Sequence, residues 1–122
     1  MKIAISVQGK DQQSPLDPRF GRAEGFLICD TEGGEPVYVP NSQNMSLAQG
    51  AGLQAAQTVA GAGARAVITG HVGPKAFLAL NKGRIAVHLV PQGAAATAAQ
   101  ALELFRAGKL PEAQGADKDG HW

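Results

Sequence analysis

At 122 residues with 44% apolar side chains, the chain is long enough for one modest hydrophobic core and too apolar for wholesale disorder. A formal net charge of +1 excludes the bulk basic field that drives non-specific nucleic-acid binding, and no apolar run reaches the roughly 18 residues of a membrane span. The single cysteine, Cys29, excludes an internal disulfide, a multi-cysteine zinc site and an iron–sulfur cluster held by four thiolates of one chain.

The start, MKIAISVQGKD, is too short and too soon polar for a signal peptide, so the cytoplasm is the expected location. Lys2 to Val7 reads as a strand with Ile3, Ile5 and Val7 on one face. Gly9 to Ala23 is a loop, long for a compact domain, and Pro15 and Pro18 forbid a helix in it. Glu24 to Asp30 and Glu35 to Val39 read as strands on either side of the hairpin signal TEGG, the second stopped by Pro40. A polar connection, Asn41 to Gln49, leads into an Ala-rich helix from Gly50 to Ala62, with Leu53, Ala56, Val59 and Ala60 as its apolar stripe. Ala64 to Gly70 reads as a buried strand. Pro74 then opens a second helix, with Phe77, Leu78 and Leu80 expected to face inward and Lys82-Gly83 closing it. Ile85 to Val90 is a fifth strand, and Gln92-Gly93 precedes a last helix from about Ala94 to Ala107, anchored by Leu102 and Phe105. Residues 1–110 form the expected single domain, and 111–122, polar and aperiodic, a flexible C-terminal tail.

The order β-β-β-α-β-α-β-α predicts an α/β fold. The first three strands form antiparallel pairs, and helical crossovers make the last two parallel. With the first strand central, the sheet order is 3-2-1-4-5, a mixed sheet with helices on its faces. The carboxyl ends of strands one, four and five then share one edge, where ligands of open sheets bind. Helix starts near Gly50, Gly73 and Gly93 gather at that edge, each with unpaired N–H groups and a positive dipole end. The long loop brings Arg19 and Arg22 there, and His71 and Lys75 come just after strand four. The convergence predicts an anion pocket, although glycines as plain caps and arginines as solvated side chains are the bland alternatives.

Catalytic signals are weak. Ser6 and Ser14 lack an obvious base, and Asp17, Glu24 and Asp30 give no ligand set for two-metal chemistry. His88 reads as a structural strand residue and His121 as a free tail residue. Cys29 reads as a small core residue, with a single thiolate ligand as its alternative. GAGARA at Gly61 to Ala66 mimics a dinucleotide fingerprint but lies between a helix and a strand, the wrong order. No Walker sequence is present.

Three stretches, MKIAISV, DPRFGRAEGFLICD and GAGLQAAQTVAGAGARAVITGHVGPKAF, together resemble the dinitrogenase iron–molybdenum cofactor biosynthesis family over roughly residues 1–110. The resemblance implies a ribonuclease H-like sheet and the binding or carrying of molybdenum–iron–sulfur clusters or their precursors. One branch, the orange-protein type, is implied to hold a molybdenum–copper sulfide cluster without covalent attachment. One cysteine cannot supply a cluster's sulfur, so the cargo would arrive with its own sulfides. This favours a Mo–Cu–S cluster, with Mo–Fe–S as the alternative.

The expected cofactor-binding residues are Arg19, Phe20, Gly21, Arg22, Gly50, Ala51, Gly52, His71, Val72, Gly73 and Lys75. Arg19, Arg22 and Lys75 would neutralise charge, Phe20 and Val72 would keep water away, and His71 is the best side-chain metal ligand. The expected partners are the cluster and a donor or acceptor protein, with no nucleic acid and no membrane. The Cys/His-rich tail of many family members is missing here, where the chain ends DKDGHW. A cofactor-free interaction module and a small ribonuclease H-like hydrolase are the rival readings.

Overall fold

The structure is a computed structural model and describes residues 1–41 and 50–115. Five strands, β1 (Lys2–Val7), β2 (Gly25–Asp30), β3 (Val37–Pro40), β4 (Ala64–Thr69) and β5 (Ala86–Leu89), form one sheet of order β3-β2-β1-β4-β5. β1 pairs antiparallel with β2 and parallel with β4, while β2–β3 is antiparallel and β4–β5 parallel. The expected architecture, order and strand directions are therefore found.

Side-chain alternation along the central strand builds two cores. Ile3, Ile5 and Val7 face α3 (Ala98–Arg106), while Ala4 faces the layer of α1 (Ala51–Gly61) and α2 (Pro74–Lys82). Small residues let that layer sit close. A Cβ on Gly52 would stand 3.0 Å from Ala76 Cβ, so the first turns of α1 and α2 press against each other.

Three local expectations are corrected. On α1 the buried residues are Ala51, Ala55, Ala56 and Val59, whereas Leu53 is 44% exposed and Ala60 faces out. The stripe is rotated because alanines, not leucine, fit the close approach. On α2, Ala76 and Leu80 lie one turn apart and are buried, which leaves Leu78 on the far side, 55% exposed. The third helix begins at Ala98 rather than Ala94. Thr97 Oγ1 accepts from the Gln100 N–H at 3.3 Å, and Gln100 Oε1 accepts from the Ala96 N–H at 2.7 Å. The sequence T-A-A-Q acts as a capping box that reaches back one residue further than usual, and it marks the true start of the helix. Gly93, with φ +83°, is a turn residue and not a helix start.

At residues 111–113, inside the stretch expected to be loose, the backbone runs beside β5. Glu112 bridges His88 in antiparallel sense, and the Ala113 N–H donates to the Val87 carbonyl at 2.7 Å. His88 Nδ1 lies 2.6 Å from the Leu110 carbonyl, which can only accept, so the proton is on Nδ1; the ring packs edge-on against Phe105. His88 is structural, as its strand position suggests. Residues 42–49, most of the expected polar connection, and the tail residue His121 lie outside the described residues.

Cys29 is buried in the α3-side core, and burial raises its thiol pKa, opposed by the smaller effect of Arg106. The folded chain thus keeps a proton that the unfolded chain gives up at lower pH. The stability that Cys29 contributes is complete below about pH 8.5 and declines as pH rises through the alkaline range. Thermal melting of wild type and Cys29→Ala is expected to differ less at pH 10 than at pH 7. A constant difference would contradict the assignment.

Candidate functional site

The long loop after β1 is fastened to β1, to the start of α3 and to the end of β4. It first doubles back on β1: the Gln8 N–H donates to the Pro15 carbonyl at 2.9 Å, and the Asp17 N–H donates to the Ser6 carbonyl at 2.9 Å. The Ser6 hydroxyl lies 2.6 Å from the Asp17 carbonyl and 2.7 Å from Thr69 Oγ1, all buried. A carbonyl only accepts, so Ser6 donates to Asp17 and accepts from Thr69. β1, β4 and the loop are thereby locked at one point.

The loop then crosses the end of β4. The Phe20 N–H donates to the His71 carbonyl at 3.2 Å, and Arg19 bridges His71 in parallel sense. Pro18 lies so close to Gly70 that an added Cβ would be 2.8 Å from the Pro18 Cα and carbonyl oxygen. Gly70→Ala is therefore expected to destabilise by about 1–3 kcal/mol, because the obstacle is backbone and cannot rotate away. A urea titration that shows no loss would disprove this contact.

Asp17 sets the path of the next residues. Its Oδ1 accepts from the Arg19 N–H at 2.9 Å, an Asx-type turn, and lies 3.5 Å from Arg19 Nε. The Asp17 side chain is 2% exposed, whereas that of Arg19 is 46% exposed. Arg19 thus stands at the surface, anchored at its base by a buried carboxylate. Arg22 is half-buried beyond it. The two arginines, together with Asp17, Glu24, Gln8 and Asn41, line an open cavity of about 460 Å³. Asn41 closes its back: the amide nitrogen donates to the Ala23 carbonyl at 3.0 Å, while Oδ1 has no hydrogen-bond partner among the described residues.

His71 lines a different cavity, of about 310 Å³, between Pro18 and the turn from Val90 to Ala95. Arg19 and His71 are thus neighbours through their backbones, but they front two cavities. Phe20 and Val72, expected to keep water from a ligand, have their side chains in the protein core. Both are buried in the core on the α1–α2 side, Phe20 at 0% exposure and packed on Phe26 at 5.4 Å between ring centroids. Their apolar side chains belong under the loop, where they fix its backbone. Gly21 is buried in the same loop.

Gly50 and Gly73 are the N-caps of α1 and α2, neither with a side-chain cap. Glycine has no side chain that could accept from the N–H groups of those first turns. Ala51 is buried, Gly52 presses on Ala76, and Lys75 is exposed in the first turn of α2. Among the described residues, no group of three or more His, Cys, Asp or Glu could hold a metal ion.

A family model, the dinitrogenase iron–molybdenum cofactor family, matches residues 1–108. The chain belongs to this family. Similar structures agree with the assignment. The apo form of the orange protein from Desulfovibrio gigas is 41% identical, with a TM-score of 0.89 over 96% of each chain. A putative NifB protein from Thermotoga is 29% identical, with a TM-score of 0.78 over 98% of each chain. An uncharacterized protein of Methanocaldococcus jannaschii is 30% identical over 113 residues, 90% of this chain and 89% of its own. Membership ties the chain to the iron–molybdenum cofactor of dinitrogenase. No helix among the described residues is long and apolar enough to cross a membrane.

Sequence reasoning misses two residues that line the cavity with the arginines. Asp17 looks there like no more than a failed metal ligand, although Asp-Pro is a turn signal whose carboxylate caps the next N–H. Asn41 looks like part of a polar connection, yet it is buried behind the arginines.

Proposed function

We propose that this protein binds and carries a molybdenum-containing metal–sulfide cluster noncovalently, at the edge formed by the loop after β1 and the first turns of α1 and α2. The observation that carries this reading is the pair Arg19 and Arg22 on one cavity wall, in a member of the iron–molybdenum cofactor family. Sulfide clusters are anions. Arginine N–H groups and helix starts capped by glycine suit them through charge and hydrogen bonds. Such contacts are reversible, as a carrier needs, and they require no thiolate from the chain.

In this reading Arg19, Arg22 and Lys75 offset the cargo's charge. Backbone N–H groups from Gly50 to Gly52 and after Gly73 bond its sulfides, and His71 is the side chain best suited to touch a metal. A Mo–Cu–S cargo is favoured over Mo–Fe–S. The cargo passes between a donor and an acceptor protein in the cytoplasm. The test is colour. Protein treated with thiomolybdate and copper is expected to keep a visible absorption band through desalting. Loss of all colour on desalting, together with no molybdenum in protein isolated from its native source, would sink the proposal.

A further inference from the structure

The cavity that holds the two arginines is not a simple cationic trap. Its wall carries two carboxylates, Asp17 and Glu24, against Arg19 and Arg22. Asp17 is the telling one. A carboxylate at 2% exposure is a costly group to keep, and it sits against the base of the Arg19 guanidinium. An asparagine would accept the same Arg19 N–H and complete the same turn. The turn itself therefore does not need the negative charge, which acts on the Arg19 guanidinium instead.

We propose that Asp17 is a charge counterweight: it offsets Arg19 within the cavity and holds the affinity for anionic cargo down to a range from which the cargo can leave. This rests on the anionic cargo proposed above and deepens it. Arg19, tied to Asp17 at its base, lines the cavity with its charge largely balanced, and Glu24 acts in the same direction from the exposed rim. An anion bound beside Arg19 is attracted by the guanidinium and repelled by the carboxylate behind it. Asp17 thus tunes binding through Arg19 and is a positioning and charge-setting residue.

The test is equilibrium dialysis of the full chain against tetrathiomolybdate alone, with bound molybdenum measured, at low and high salt. Asp17→Asn is expected to tighten binding about tenfold at low ionic strength, with the gain shrinking at high salt. Arg19→Gln is expected to weaken binding by a similar factor. The double variant Asp17→Asn/Arg19→Gln is expected to return to within about threefold of wild type, because charge is removed in a balanced pair. A purely structural Asp17 predicts the reverse: the single variant binds more weakly and the double more weakly still.

Glu103→Gln, the same charge change on the exposed face of α3, should stay within about twofold, which separates a local from a global field. If Asp17→Asn does not fold, Glu24→Gln carries the test, with tightening of about threefold expected. Binding by wild type with no tightening in the carboxylate variants overturns the counterweight and leaves the cargo reading standing. No binding by wild type or any variant overturns both.

Discussion

Phe20→Ala is expected to lower the unfolding free energy by about 3–5 kcal/mol, the range for deleting a fully buried aromatic ring. The ring has 0% exposure and packs on Phe26, so its loss leaves a cavity that the surrounding strands cannot close. The consequence reaches the site through the backbone. Phe20 donates its N–H to the His71 carbonyl and lies between Arg19 and Arg22 in sequence, so a lost ring loosens the wall that holds both arginines. Urea denaturation reads the first effect. If stability falls by less than about 1 kcal/mol, the core placement of Phe20 is wrong. Phe20→Leu, which keeps most of the buried volume, is expected to recover much of the loss.

Arg19→Glu with Arg22→Glu is expected to abolish cargo retention, a fall of at least about a hundredfold, since two attractive charges become repulsive on one cavity wall. The fold should survive with reduced stability. A carboxylate at position 19 would face the buried Asp17 carboxylate, whereas the backbone N–H that Asp17 accepts is unchanged. Circular dichroism and the visible spectrum after desalting separate the two effects. Folded protein that still keeps full colour would place the cargo elsewhere.

The sheet is legible in the sequence because its signals are periodic and local. β1 alternates as I-A-I-S-V, and the helices that join the later strands mark those strands as parallel neighbours. Helix faces are less legible. Leu53 and Leu78 are the most apolar residues of their turns, yet glycine and alanine bring α1 and α2 so close that leucine is excluded from the seam. The loop can be recognised as a cavity wall, but its interior cannot. Phe20 reads as a cover when only its neighbours in sequence are known. The fold brings it a stacking partner in Phe26, which an extended chain would place about 20 Å away. Asp17 could be found only as an Asx turn, because its pairing with Arg19 depends on Ser6 and Thr69 fixing the loop.

The strip of backbone beside β5 bears on how the tail can be studied. β5 closes one side of the sheet, and an uncovered outer edge there would offer its carbonyls and N–H groups to any passing strand. Ala113 and Glu112 occupy that place. A chain cut after Lys109 to remove His121 would therefore bare the edge and invite self-association. Truncations meant to ask about a tail ligand should keep residues through Ala113, or a loss of solubility will be mistaken for a lost metal contact.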